Sequence, residues 1–120
     1  MPHVILNTNQ TIEQIFARFE PYAVQEAANR YKVEEAYLSH TRSTVLLRCI
    51  TIERGFNKTF FLRLVQKDNS ITVGLDLLNP PDKSDGVKRL IAIVAQRILL
   101  SAPGSSIAST NIQPFLREVT

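Results

Sequence analysis

Between residues 33 and 78 the apolar side chains recur at every second position, and that period commits the middle of the chain to strands. Four segments carry it: "VEEAYLSH", "STVLLRCITIE", "KTFFLRLVQK" and "SITVGLDLL". They are separated by "TRS", "RGFN" and "DN", short stretches of turn-forming residues, so the expected sheet is a four-stranded antiparallel meander. In the third segment Phe60, Leu62 and Leu64 alternate with Phe61, Arg63 and Val65. One face is wholly apolar, and the other sets a charge between two hydrophobes, as a half-covered face does.

Helical patterns flank this region. "TIEQIFARFE" opens with a capping box, Thr11 to Gln14, and places Ile12, Ile15, Phe16 and Phe19 on one side. Pro21 removes a backbone donor, so this helix is expected to end near Glu20 or to kink into a second one over "YAVQEAANRY", with Tyr22, Val24, Ala27, Ala28 and Tyr31 as its apolar positions. On the far side "NPPDKSD" forbids helix through its prolines and offers Ser84 or Asp85 as a cap. A helix over 87–100 follows. Its inner stripe is Val87, Leu90, Ile91, Val94 and Ile98, its other faces carry Lys88, Arg89, Gln96 and Arg97, and Ile93, Leu99 and Leu100 widen the stripe beyond the arc one sheet can cover. The first helix or another chain would cover the surplus. "HVILN" reads either as a first edge strand or as an ordered N-terminal arm.

The expectation is therefore an α+β two-layer fold: an N-terminal helix kinked at Pro21, the meander, a C-terminal helix and an extended arm. Residues 1–102 form a single domain and residues 103–120 the arm. A chain of 120 residues is the size of one domain, and 44% hydrophobic residues suffice for one core. The opening "MPHVILNTNQ" is far short of a signal-peptide core, and no apolar run approaches a membrane span. A virion or cytoplasmic location, without a cleaved signal or a membrane partner, is expected.

Chemistry-bearing patterns are sparse. The single cysteine, Cys49, lies among strand-forming residues and reads as a small core hydrophobe. Neither His3 nor His40 stands at the spacing of a nucleophile or metal motif, and Asp82 and Asp85 suit the start of a helix better than paired acid–base work. The four glycines, at 55, 74, 86 and 104, do not form a phosphate-cradling loop. No catalytic residue, cofactor or metal is expected. The net charge of +3 and the order helix, meander, helix raise nucleic-acid binding, because the double-stranded RNA-binding fold shares that order. Basic residues are scattered, however, and the one adjacent pair, Lys88 and Arg89, starts a helix whose dipole disfavours cations. A phosphate held by Lys88 and Arg89 would explain their position; duplex binding no tighter than micromolar is the corresponding expectation.

"DGVKRLIAIVAQRILLSAPGSS" resembles a pattern of small structural proteins of phage tails and baseplates, including the sheath-initiator wedge family. There a helix of the form L-x-Q-R-I-x-x-L-L leads into T-x-P-G and small polar residues. The matching positions are Leu90, Gln96, Arg97, Ile98, Leu99, Leu100, Pro103, Gly104 and Ser105, with Ser101 in place of Thr. In the initiator family the helix precedes the sheet and a Glu-Pro-Arg motif follows; here the sheet comes first and that motif does not occur. The resemblance implies a non-enzymatic assembly protein with other protein subunits as partners, as a homo- or hetero-oligomer. Beyond Gly104, Ile107, Ile112, Phe115, Leu116 and Val119 punctuate an otherwise polar strap that needs a docking surface, either its own domain or a neighbour. Arg97, Pro103, Gly104, Ile112, Phe115 and Leu116 are the candidate partner-binding residues. The alternatives are a cytoplasmic bacterial binding or chaperone-like module and, third, a weak nucleic-acid-binding domain.

Overall fold

A computed structural model describes residues 1–78 and 80–116. Its elements run β1 (His3–Asn7), α1 (Ile12–Ala17), β2 (Tyr22–Glu26), β3 (Asn29–Leu38), β4 (Thr44–Glu53), β5 (Phe56–Lys67), β6 (Ser70–Leu75), α2 (Asp85–Ser101), β7 (Ser106–Thr110) and a 3-10 turn at Gln113–Phe115. All seven strands join one antiparallel sheet in the order β2-β3-β4-β5-β6-β1-β7, curled into a half-barrel around α2.

The expected α+β layering is thus overturned: the fold is mostly β, and the four segments read from the sequence are the middle of a larger sheet. The Thr11 and Gln14 capping box forms, but its helix closes at Ala17. Residues 22–26, expected as helix after a kink at Pro21, are strand. Tyr22 and Val24 alternate with Ala23 and Gln25, so a period of two fits them as well as a helical one. The turn into β3 is Ala27 and Ala28, with Ala27 at φ 52°. Two alanines advertise helix; here strand pairing over Tyr22↔Val33 to Glu26↔Asn29 overrides that propensity. "HVILN" is neither an edge nor an arm, because β1 lies inside the sheet between β6 and β7. The extended arm is corrected too: Ser106–Thr110 is the edge strand β7, and Ile112 is buried. With the element order changed, the likeness to the RNA-binding fold lapses.

Curling explains the broad apolar surface of α2. Val87, Leu90, Ile91, Val94 and Ile98 are buried, and so are Ala92, Ile93 and Ala95 on its other sides. The helix touches β1, β3, β4, β6 and the 3-10 turn, so the sheet's curl and the chain's own C-terminal segment supply the cover that a flat sheet lacks. Leu47, Leu62, Leu64, Ile71, Val73 and Cys49 face it from the sheet. Ser84 caps α2 through its hydroxyl, and the Glu53 carboxylate from the end of β4 accepts from the Gly86 N–H (2.9 Å) and the Ser84 hydroxyl (3.0 Å). An acid at that end complements the helix dipole. A side chain at 86 would collide with it, since a Cβ there would meet Glu53 Cδ at 2.2 Å.

Candidate functional site

The proposed partner-binding residues do not form one cluster. Pro103 and Gly104 are exposed in the turn after α2, where Gly104 takes φ 89° in open space and redirects the chain onto β1. There β7 is fastened by polar groups: Thr110 Oγ1 donates to the His3 carbonyl (2.8 Å), Ser105 to Thr8 (2.8 Å), and the His3 N–H to Asn111 Oδ1 (2.9 Å). Ile112 enters the core, and Phe115 and Leu116 pack half-buried against it. The strap therefore docks on its own domain. Val119 lies outside the described residues.

Lys88 and Arg89 serve this docking. Arg89 is 1% exposed; its Nε and Nη2 donate to the two carboxylate oxygens of Glu26 (2.9 and 2.7 Å), and its Nη1 donates to the Phe115 carbonyl (2.7 Å) and Gln96 Oε1 (3.3 Å). The Lys88 ammonium stands 5.7 Å from the centre of the Phe115 ring. Burial and bidentate pairing leave the Arg89 guanidinium no face for a phosphate, which corrects that assignment for it. The cation near the helix start is instead compensated by Glu26, a partner from another element that spacing within α2 does not reveal.

Arg97, two turns further along, is exposed and lies with its guanidinium carbon 3.8 Å from the centre of the Tyr22 ring. The two arginines are separated by about 12 Å of helix, and their β2 partners Glu26 and Tyr22 by about 13 Å of strand. The match lets α2 hold both ends of the edge strand. Burial pushes the Tyr22 phenol well above its ordinary range, with the Cys49 charge adding to the rise and Arg97 opposing it. Cys49 is itself in the core, and burial raises its thiol as well.

Beside this stacked pair opens a cleft of about 450 Å³ between α1, the start of β2 and the C-terminal half of α2. Leu47 and Leu64 of the sheet line it, with Ile15 and Phe19 from the α1 side and Val94 and Ile98 from α2. Arg18, Glu20 and Arg97 are its charged members. Gln10 ties its two sides together: the buried amide donates to the Ile98 carbonyl (3.0 Å) and accepts from Ser101 Oγ (3.2 Å) and from Arg18. Sequence reasoning misses the cleft because it gives residues 22–31 to a second helix after Pro21, whereas Tyr22 opens a strand. The alternation of Tyr22 and Val24 was the available signal.

The convex side of the sheet shows Leu46, Ile50, Phe61 and Val65 half-buried among Arg48, Arg63 and Lys32, with the Tyr37 and Phe61 rings 6.5 Å apart. His40 is exposed after β3, and the His3 ring meets only the Met1 carbonyl among the contacts of the described residues (2.9 Å). Among the described residues no three His, Cys, Asp or Glu side chains gather to hold a metal, and no helix is long and apolar enough to cross a membrane. No family model, curated protein or solved structure matches the chain.

Proposed function

We propose that this is a non-enzymatic assembly protein, of the kind built into a phage tail or tail-like machine, that works in a virion or in the cytoplasm by adding its β7 edge to a strand of another subunit. The observation that carries this reading is the character of β7. All but the last of its residues are exposed, none is charged or proline, and Ile107 stands 37% exposed among Ser106, Ala108 and Ser109. Natural edge strands are ordinarily guarded by charge, proline, a β-bulge or a covering element; β7 has the bulge, at Ala108, but neither charge nor proline, and an edge so lightly guarded is a template for strand addition. The likeness of the preceding helix and its Pro103-Gly104 turn to tail proteins supplies the setting. A second copy is the first partner to test, since β7 carries no charge that would repel its own copy.

Sedimentation velocity over a concentration series checks this. The wild-type chain is expected to dimerise, and Ser109→Lys to remain monomeric with its melting temperature unchanged. A wild-type chain that stays monomeric up to its solubility limit, or a Ser109→Lys chain that dimerises equally, overturns the β7 contact. The convex face favours the alternative of a bacterial binding or chaperone-like module, because its half-buried apolar residues offer a broad surface to a different protein; dimerisation that survives Ser109→Lys and is lost on Phe61→Ser would support it.

A further inference from the structure

We propose that the cleft between α1 and α2 binds a small amphipathic carboxylate, a medium-chain fatty acid, with its chain against Ile15, Phe19 and Leu100 and its carboxylate at Arg97. The dimensions fit: about 450 Å³ lies within the roughly 300–1,000 Å³ typical of small-molecule sites. The lining divides by chemistry as such a ligand does. Its buried lining is aliphatic (Leu47, Leu64, Val94, Ile98), Ile15, Phe19 and Leu100 are its accessible apolar members, and its charged members are two arginines against the single carboxylate of Glu20.

Arg97 is prepared for an anion. Stacking on Tyr22 occupies the face of the guanidinium and holds it in place, while the N–H groups at its edge stay available, because among the described residues it has no carboxylate partner. Tyr22, a phenol that is uncharged at neutral pH, adds no competing negative charge. Of the other polar groups, Arg18 and Ser101 are bonded to Gln10, which also donates to the Ile98 carbonyl. The accessible apolar lining, Ile15, Phe19 and Leu100, offers contact without hydrogen bonds, as an acyl chain requires. The site is separate from β7 and does not depend on dimerisation.

Titration of the full chain with decanoate below its micelle-forming concentration, followed by calorimetry and by amide NMR shifts, tests the assignment. Decanoate is expected to bind saturably at one site, moving the amides of Tyr22, Val94 and Ile98, and to bind about tenfold or more tightly than decanol or decylamine, as a charge-assisted hydrogen bond predicts. Arg97→Gln, an exposed substitution, should lower decanoate affinity about tenfold and leave decanol unaffected; Lys67→Gln at the far end of the sheet should change neither. Ser109→Lys should retain full binding, which separates this site from the dimer contact. Equal binding of the three amphiphiles, absence of saturable decanoate binding, decanoate affinity unchanged by Arg97→Gln, or preference for an apolar C-terminal peptide over decanoate would each overturn the proposal.

Discussion

The two free edges of the sheet are strands of the same length, five residues each, and they are protected in opposite ways. Pro21 precedes β2, Gln25 and Glu26 make it polar, and α2 grips it at both ends through Arg89 on Glu26 and Arg97 on Tyr22. By contrast β7 has only its pairing with β1, interrupted by a bulge at Ile5/Leu6, and the side-chain bonds of Thr110 and its neighbours. Helical arginines thus do for one edge what only a bulge and a few hydroxyl bonds do for the other. An edge so lightly guarded, opposite one so heavily held, is the one open to use.

The comparison breaks most sharply at Arg89. Arg89→Ala removes the buried guanidinium that bonds both Glu26 and the Phe115 carbonyl and should cost about 3–5 kcal/mol in urea unfolding, a large part of a small domain's total of about 5–15 kcal/mol. Hydrogen exchange should then accelerate in β2 before β7; the reverse order would mean that the arginine clamp does not hold that edge. Next in size, Ile112→Ala should cost about 2–5 kcal/mol through its lost burial. Unchanged stability with lost association would instead place Ile112 on a neighbour.

A pH-dependent loss follows from Tyr22. Its folded pKa is raised, so the folded state retains a proton that the unfolded chain releases near pH 10. Its contribution is complete below about pH 10 and declines as pH rises further. Tyr22→Phe should flatten that alkaline decline in a series of urea melts. A slope identical to wild type would show that the ring is not held in a desolvated place. The smallest expected effect is at the other edge: Ser109→Lys should alter stability by less than about 0.5 kcal/mol, as at exposed sites generally, while changing the sedimentation coefficient. A loss of several degrees in melting temperature would mean that β7 serves its own fold alone.

What the sequence disclosed and what it concealed divide along the same line. The central strands carry strict alternation, as in Phe60, Leu62 and Leu64, and α2 carries both a cap at Ser84 and a continuous apolar stripe, so each declares itself locally. The edges do not. Two alanines turn β2 into β3 where glycine or asparagine would have announced a hairpin, and "SIAST" buries no side chain fully, so it has no apolar alternation to read. Its strand character comes from pairing with β1, about a hundred residues earlier in the chain. The cleft was hidden for the same reason, since Arg18, Phe19 and Tyr22 meet Val94 and Arg97 only after the sheet has curled.

The interior position of β1 sets a timetable for synthesis. The strand leaves the ribosome ahead of both neighbours, and β7 emerges only after α2 has been made. Until then Val4 and Leu6 have no mate on one flank, and the half-barrel cannot be completed by any run of consecutive hairpins. Such distant closure makes for slow folding and a nascent chain with exposed strands. A cell that makes this protein in quantity must shelter that interval, and a point at which Ser106–Thr110 can be delayed or diverted is also a point at which the whole sheet can be held open.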